Sequence, residues 1–188
     1  MDSGLLEQIS YEKAYRENRM NGALWVLDHP ETFRELLDYV FNDKQDELSH
    51  KAAWVMEFVF LKQPPILFPH LDYFFESIPK VKKDQSVRPL ANLCEKLCLD
   101  YYKKRNPELR KLLTEEHKLQ MTEFCFDWMI TDQKVACQAR AMICLYYLGT
   151  EYDWIHPELE QIIERNIHTG SAGYKNRGGK ILAKIRRS

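Results

Sequence analysis

One phrase constrains this chain more than any other feature. An Asp stands seven residues before an Ala at the head of an apolar run three times over, as Asp46/Ala53, Asp84/Ala91 and Asp132/Ala139. The middle copy is the fullest, Asp-x-x-Val-Arg-x-x-Ala with Val87 and Arg88, followed by Leu93, Cys94 and Leu97. The Asp-to-Asp intervals are 38 and 48 residues. Recurrence at roughly 40 residues, with no convincing strand between copies, predicts stacked helical pairs in which each unit covers the apolar face of the next.

The apolar periodicity supports paired helices. His29-Pro30-Glu31 opens the first, with Pro preset for a first turn and an acid that complements the helix dipole. Phe33, Leu36, Leu37, Val40 and Phe41 then form a one-sided stripe. Residues 48–61 are apolar on more than one side, as expected of the inner member of a pair. A second pair spans about 69–78 and 86–102, a third about 114–130 and 134–148. Pro89 fits the second pair if Ser86 is its N-cap, because the first-turn N–H groups lack intrahelical partners. Gly149 is placed to stop the last helix of the third pair. His156-Pro157-Glu158 repeats the opening of the first pair, and the segment after it, weakened by Gly173, Gly178 and Gly179, reads as a terminal cap. The expected organisation is a single domain over 1–188, with an N-terminal cap (1–28), repeats over 29–62, 68–105 and 114–149, and a C-terminal capping repeat over 156–188. Asn106 to Leu113 forms a short extra helix in the longer interval.

Composition narrows the class. At 188 residues and 45% apolar content the chain can bury a substantial core, and no apolar run reaches the ~20 residues of a membrane span. The first ten residues carry Asp2 and Glu7 and lack a signal pattern, so a cytoplasmic protein is expected. Five cysteines, all among apolar neighbours on predicted helices, read as buried thiols rather than a disulfide framework. Cys94 and Cys98 share a helix face, but no second ligand pair follows, and no metal or cofactor is expected. The histidines form no metal-spaced pair. His29, His70 and His156 sit beside Pro at helix starts, where turn and capping roles are usual. The Asp residues of the repeated phrase are expected to cap helices or to pair with Arg88 of a neighbouring repeat. Trp54, Trp128 and Trp154 are expected in the packing.

Net charge is −1, unevenly spread. After Glu164 there is no acid, and seven Lys and Arg give the tail +7 against −8 for residues 1–164. Such a tail either contacts an anionic partner or docks on the body itself.

The Asp-x-x-Val-Arg-x-x-Ala-x-x-x-Leu phrase resembles the second helix of HEAT repeats. The resemblance implies an all-α, HEAT/armadillo-like superhelical stack of antiparallel helix pairs. The whole chain, with Ala52-Ala53-Trp54-Val55, Phe126-Asp127-Trp128 and the run from Gly149 to Glu158, is similar to a family of short bacterial all-helical proteins often labelled adenylosuccinate lyase. The label implies a lyase with a Gly-Ser-Ser-x-Met-Pro-x-Lys-x-Asn loop. Residues Thr169 to Asn176 keep Gly170, Ser171, Lys175 and Asn176 but lack the second Ser and the Met-Pro. A second alternative is a HEAT-like DNA-binding or alkylation-repair module, using the cations from Lys103 to Lys111 beside Tyr101 and Tyr102, together with the basic tail; a pI near 6.6 weighs against it. The favoured expectation is a non-catalytic interaction module that binds a partner protein or peptide on its concave surface. Its contact residues are Lys51, Arg88, Lys96, Arg140, Lys175 and Arg177, the second-helix and terminal positions off the apolar stripe.

Overall fold

The computed structural model describes residues 4–13, 15–42, 46–131 and 133–187. Asp132 of the third phrase, and the side chain of Asp46 in the first, lie outside them. Among the described residues the protein is all-α, with eleven α-helices and no strand. The chain divides into two compact units, Met1–Leu93 and Cys94–Ser188.

The first unit contains α1 (Leu5–Ile9), α2 (Arg16–Asp28), α3 (Phe33–Val40), α4 (Asp46–Lys62), α5 (Leu71–Ser77) and most of α6 (Asp84–Cys98). The predicted stripe of α3 is its buried face: Phe33, Leu36, Leu37 and Val40 are fully inaccessible, and Arg34 pairs outward with Asp38 at 3.3 Å. Helix α4 packs on both α2 and α3, which is why its apolar residues run around it; Ala52, Ala53, Val55, Met56 and Val59 are all fully buried. Each large aliphatic or aromatic side chain so buried contributes about 1.5–3 kcal/mol. A buried hydrogen bond from Asn92 to Glu57, 2.5 Å long, ties α6 to α4. Both His-Pro-Glu openings differ in detail from expectation. Pro30–Thr32 is a 3-10 turn before α3, and α10 already begins at Ile155.

Helix α6 starts at Asp84 rather than after a Ser86 cap, so Pro89 falls on its sixth residue. The missing N–H there would have bonded the Gln85 carbonyl, still in the first turn, which limits the disruption to one bond near the helix end. Asp84 does not reach a neighbouring repeat. Its carboxylate pairs with Arg88 of the same helix at 2.6 Å.

The second unit contains the end of α6, a π-helical turn at Leu99–Lys103, α7 (Leu109–Leu112), α8 (Glu115–Ile130), α9 (Val135–Leu148), α10 (Ile155–Ile167) and α11 (Ala172–Ile185). The short connection from Ile130 to Val135 forces α9 to run back along α8. Helix α9 also packs on α10 and α11, and Met142, Cys144, Leu145 and Leu148 are fully buried in the resulting core. Thr114 caps α8 in a capping box completed by the His117 ring, whose Nδ1 accepts from the Thr114 N–H at 3.2 Å. Despite its glycines α11 is a full 14-residue helix capped by Ser171. Gly178 aids its packing, because a Cβ there would lie 2.8 Å from Ile163 Cγ2 on α10.

The three alanines of the repeated phrase are not equivalent. Ala53 and Ala91 are fully buried, whereas Ala139 is partly exposed in a shallow hollow with Gly173, Asn176 and Arg177. Ala91→Phe is therefore expected to overpack its site and cost about 1–3 kcal/mol, and Ala139→Phe under ~0.5 kcal/mol, by urea unfolding. The tryptophans also divide. Trp128 is buried, Trp54 lies under the Arg19 guanidinium at 4.3 Å, and Trp154 is 55% exposed, stacked on Phe126.

Among the described residues no helix is long and apolar enough to cross a membrane, and no three His, Cys, Asp or Glu side chains are grouped to hold a metal.

Candidate interaction site

The six residues singled out in the sequence fall in both units. Lys51 and Arg88 belong to the first unit, where Lys51 pairs with Glu47 at 2.8 Å beside the Tyr11 ring and Arg88 pairs with Asp84. In the second unit Arg140 is held by Glu95 of α6 at 2.5 Å, and Lys96 is half-buried. Lys175 is exposed on α11, and Arg177, one helical turn-fraction further on, faces a groove.

That groove, about 470 Å³ in volume, runs between the π-helical turn, α9 and α11. Lys103, Arg177, Lys180, Lys184 and Arg187 rim it, and Leu99, Ile143, Ile181, Tyr146 and Tyr147 form its apolar surface. The spacing along α11 explains the rim: residues 177, 180 and 184 recur at three and four, so one face of the helix carries three cations, and Arg187 follows in the turn after its end. Lys184 lies over the Tyr146 ring at 5.1 Å. Lys103, Arg177, Lys180 and Arg187 meet no carboxylate among the described residues. The one carboxylate on the groove, Glu95, is already engaged by Arg140. Part of the basic tail docks on the body itself. Arg186 turns the other way and clamps Glu160 and Glu164 of α10, while its neighbours face the groove.

Beside the groove, sharing Tyr147, is a second cavity of about 500 Å³ lined by Tyr101, Tyr102, Arg105, Arg110, Thr150 and Glu151. Its wall is buttressed by a network that nothing in the sequence advertises. Lys118 is 4% exposed, with its ammonium 2.5 Å from Glu151 and 3.1 Å from Glu115. Tyr102 donates to Glu151 at 2.6 Å, and Tyr152 donates to Glu115. Burial acts to lower the Lys118 pKa, but the bonds to Glu151 and Glu115 outweigh it and hold the ammonium above its usual range. Burial and the bond to Glu115 raise the Tyr152 hydroxyl to about 12, and burial with Glu151 raises Tyr102 further. These groups hold fixed charge states near neutral pH, which suits a structural support rather than proton transfer.

Hairpins of striped and enclosed helices, repeated along an all-α chain, define a helical-repeat protein. Residues 12–185 match the HEAT repeat domain, and the chain belongs to that family. No curated protein and no solved structure matches it.

Proposed function

We propose that this HEAT repeat protein is a non-catalytic binding module and that an acidic segment of a partner protein docks in the groove between α9 and α11. The observation that carries this reading is the rim of five cations around an apolar floor, in which the sole carboxylate is already neutralised. Four of them, Lys103, Arg177, Lys180 and Arg187, meet no carboxylate among the described residues, and such cations facing a groove favour an anionic ligand. The Leu99, Ile143 and Ile181 floor favours a polypeptide with apolar side chains between its acids over a bare phosphate backbone. Charge is also partitioned by unit: sixteen Lys and Arg against thirteen Asp and Glu give the second unit +3, while eleven against fifteen give the first −4.

The alternatives have less support. For the lyase, Ser171 would have to be a free catalytic hydroxyl, but it accepts the Tyr174 N–H at 3.3 Å as the cap of α11. For nucleic acid, the tyrosines and cations of the second unit are suitable groups, and binding assays decide.

Fluorescence anisotropy with a short peptide alternating Glu and Leu tests the proposal. Binding is expected, weakening as salt rises through the range in which the Debye length shrinks from about 10 to 3 Å. Lys180→Glu with Lys184→Glu should weaken it at least about 30-fold, since like charges now face the ligand. Lys62→Glu, in the first unit, should leave it unchanged. Loss of binding in neither variant, or tighter binding of duplex or single-stranded oligonucleotide than of peptide at physiological salt, overturns the proposal.

A further inference from the structure

We infer that the cavity beside the groove, built from Arg105, Arg110 and the tyrosines 101, 102 and 147, receives a phosphoryl group carried by the docked acidic segment. The inference rests on the docking reading and assigns a chemistry to the neighbouring site.

Two backbone departures build this cavity. The π-helical turn at Leu99–Lys103 inserts an extra residue at the end of α6, which places Tyr101 and Tyr102 together on the cavity wall, their rings 4.8 Å apart. Arg105 follows with φ of 55°, in the left-handed region that a long side chain occupies at a cost of about 1–2 kcal/mol. The reversal it makes is then locked. Asn106 donates its N–H to the Asp100 carbonyl at 2.9 Å, and its Oδ1 accepts from the N–H groups of Glu108 and Leu109 at 3.0 and 3.1 Å. Fully buried Leu109 anchors α7, which carries Arg110 to 5.7 Å from the Tyr101 ring centre. Strain and anchoring together bring two guanidinium groups to one cavity. A glycine at 105 would make the same turn without strain, so the arginine serves something other than the turn.

The hydrogen-bond inventory of the cavity is one-sided. Glu151 is taken by Tyr102 and Lys118, and the Thr150 hydroxyl donates to the Tyr147 carbonyl at 2.6 Å. Neither Arg105 nor Arg110 meets a carboxylate among the described residues. What remains is two planar donor forks, together with tyrosine hydroxyls. A ligand that matches must bring several acceptor oxygens and more than one negative charge. A phosphate monoester, with three terminal oxygens and a charge of about −1.5 to −2, does so, whereas one carboxylate offers two oxygens and a single charge. A cavity of about 500 Å³ holds the phosphoryl group and the side chain bearing it. Because Tyr147 belongs to both sites, a segment lying in the groove can present the group without leaving it.

The test compares a Glu/Leu peptide with one central Ser, its phosphoserine form and a form with Glu in that place, all titrated against the full chain. The phosphoserine form is expected to bind about tenfold tighter than the other two. Arg105→Gly keeps the left-handed turn and removes one fork, and Arg110→Gln removes the other without disturbing Leu109. Each should reduce the gain, and both together should abolish it while leaving the affinity for the unphosphorylated peptide unchanged. Equal affinity for the three peptides overturns this inference and leaves the docking reading intact. Failure of all three to bind overturns both. A gain that survives the double variant places the phosphoryl group elsewhere. A 5′-phosphorylated oligonucleotide that binds tighter than the phosphopeptide and loses that affinity in the double variant assigns the cavity to nucleic acid.

Discussion

Gly149→Ala is expected to destabilise the protein by about 2–4 kcal/mol, an effect out of proportion to one methyl group. Gly149 follows the last turn of α9, and its dihedral angles, φ −65° and ψ −13°, are open to any residue. The usual reason for glycine at a helix end, a left-handed cap, does not apply. A Cβ there would instead lie 2.1 Å from Cδ2 and 2.5 Å from Nε2 of His156. That ring has little room to yield. It stacks on Tyr146 with 16° between planes, and its Nε2 hydrogen-bonds the Tyr146 carbonyl at 2.8 Å. The glycine and the His-Pro-Glu opening of α10 are thus one device, which seats the start of α10 against the end of α9. A double-mutant cycle isolates it. His156→Ala alone costs a stacked ring and a hydrogen bond, and in that background Gly149→Ala should cost nothing, or stabilise slightly by restricting the unfolded chain. Equal costs of Gly149→Ala in the two backgrounds, by urea unfolding, would show that the close contact is not what the glycine serves.

The same position shows how far the sequence can be read. Gly149 was legible as a helix end, and the helix does end there, but the physical reason lies seven chain positions away in a ring that only the fold brings near. Apolar stripes were legible because burial repeats with the helix: Phe33, Leu36, Leu37 and Val40 are all buried in a row. Caps are harder to place: Thr114 and Ser171 cap α8 and α11, while Ser86, expected to cap α6, lies inside a helix that starts at Asp84. The partial exposure of Ala139, unlike the burial of Ala53 and Ala91, is not written in the repeated phrase, because it depends on how much of α9 its neighbouring helices cover. Trp154 was misread because a tryptophan's packing partner is not encoded beside it.

For the candidate site the division is sharper. The basic tail was visible as charge, and Lys175 and Arg177 were selected from it, but the phase of α11 that turns residues 177, 180 and 184 to one groove, and the turn after it that sends Arg187 there and Arg186 to Glu160, need the helix and its neighbour. Arg140 looked available and is spent on Glu95. Nothing in the sequence marks Lys118 as buried; the two carboxylates that make its burial tolerable are supplied from residues 115 and 151. The π-helical turn carried no local signal of its own. The run from Lys103 to Lys111, read in the sequence only as cations for a nucleic-acid alternative, supplies Lys103 to the groove and Arg105 and Arg110 to the cavity.

The five cysteines yield the other large effect. Native protein is expected to react with a thiol-specific disulfide reagent at least about 10³-fold more slowly than unfolded protein, with all five thiols labelled only in denaturant. Cys94, Cys125, Cys137 and Cys144 are fully inaccessible and Cys98 is 1% exposed. They come from α6, α8 and α9, and all are free thiols. Burial pushes the Cys94 and Cys125 thiols well above their ordinary range, and the Cys144 thiol together with burial does the same for Cys98. Since the thiolate is the reactive form, low access and low ionisation act in the same direction for Cys94, Cys98 and Cys125. Burial raises the Cys144 thiol as well, but the bonds from Cys125 and Cys98 outweigh it and hold that thiol low, so Cys144 is protected by inaccessibility alone. Cys98, which also donates to Met121 Sδ at 3.3 Å, immediately precedes the π-helical turn that supports Lys103, Tyr101 and Tyr102. Its labelling therefore reports the opening of the elements that carry the groove. If an acidic peptide binds only the closed form, a concentration ten times its Kd should slow Cys98 labelling about tenfold while reclosing outpaces reaction. One thiol that reacts in the native protein as fast as a free cysteine would show that this core is open on the reagent's timescale. A saturating peptide that leaves the Cys98 rate unchanged would show that the groove and that core do not open together.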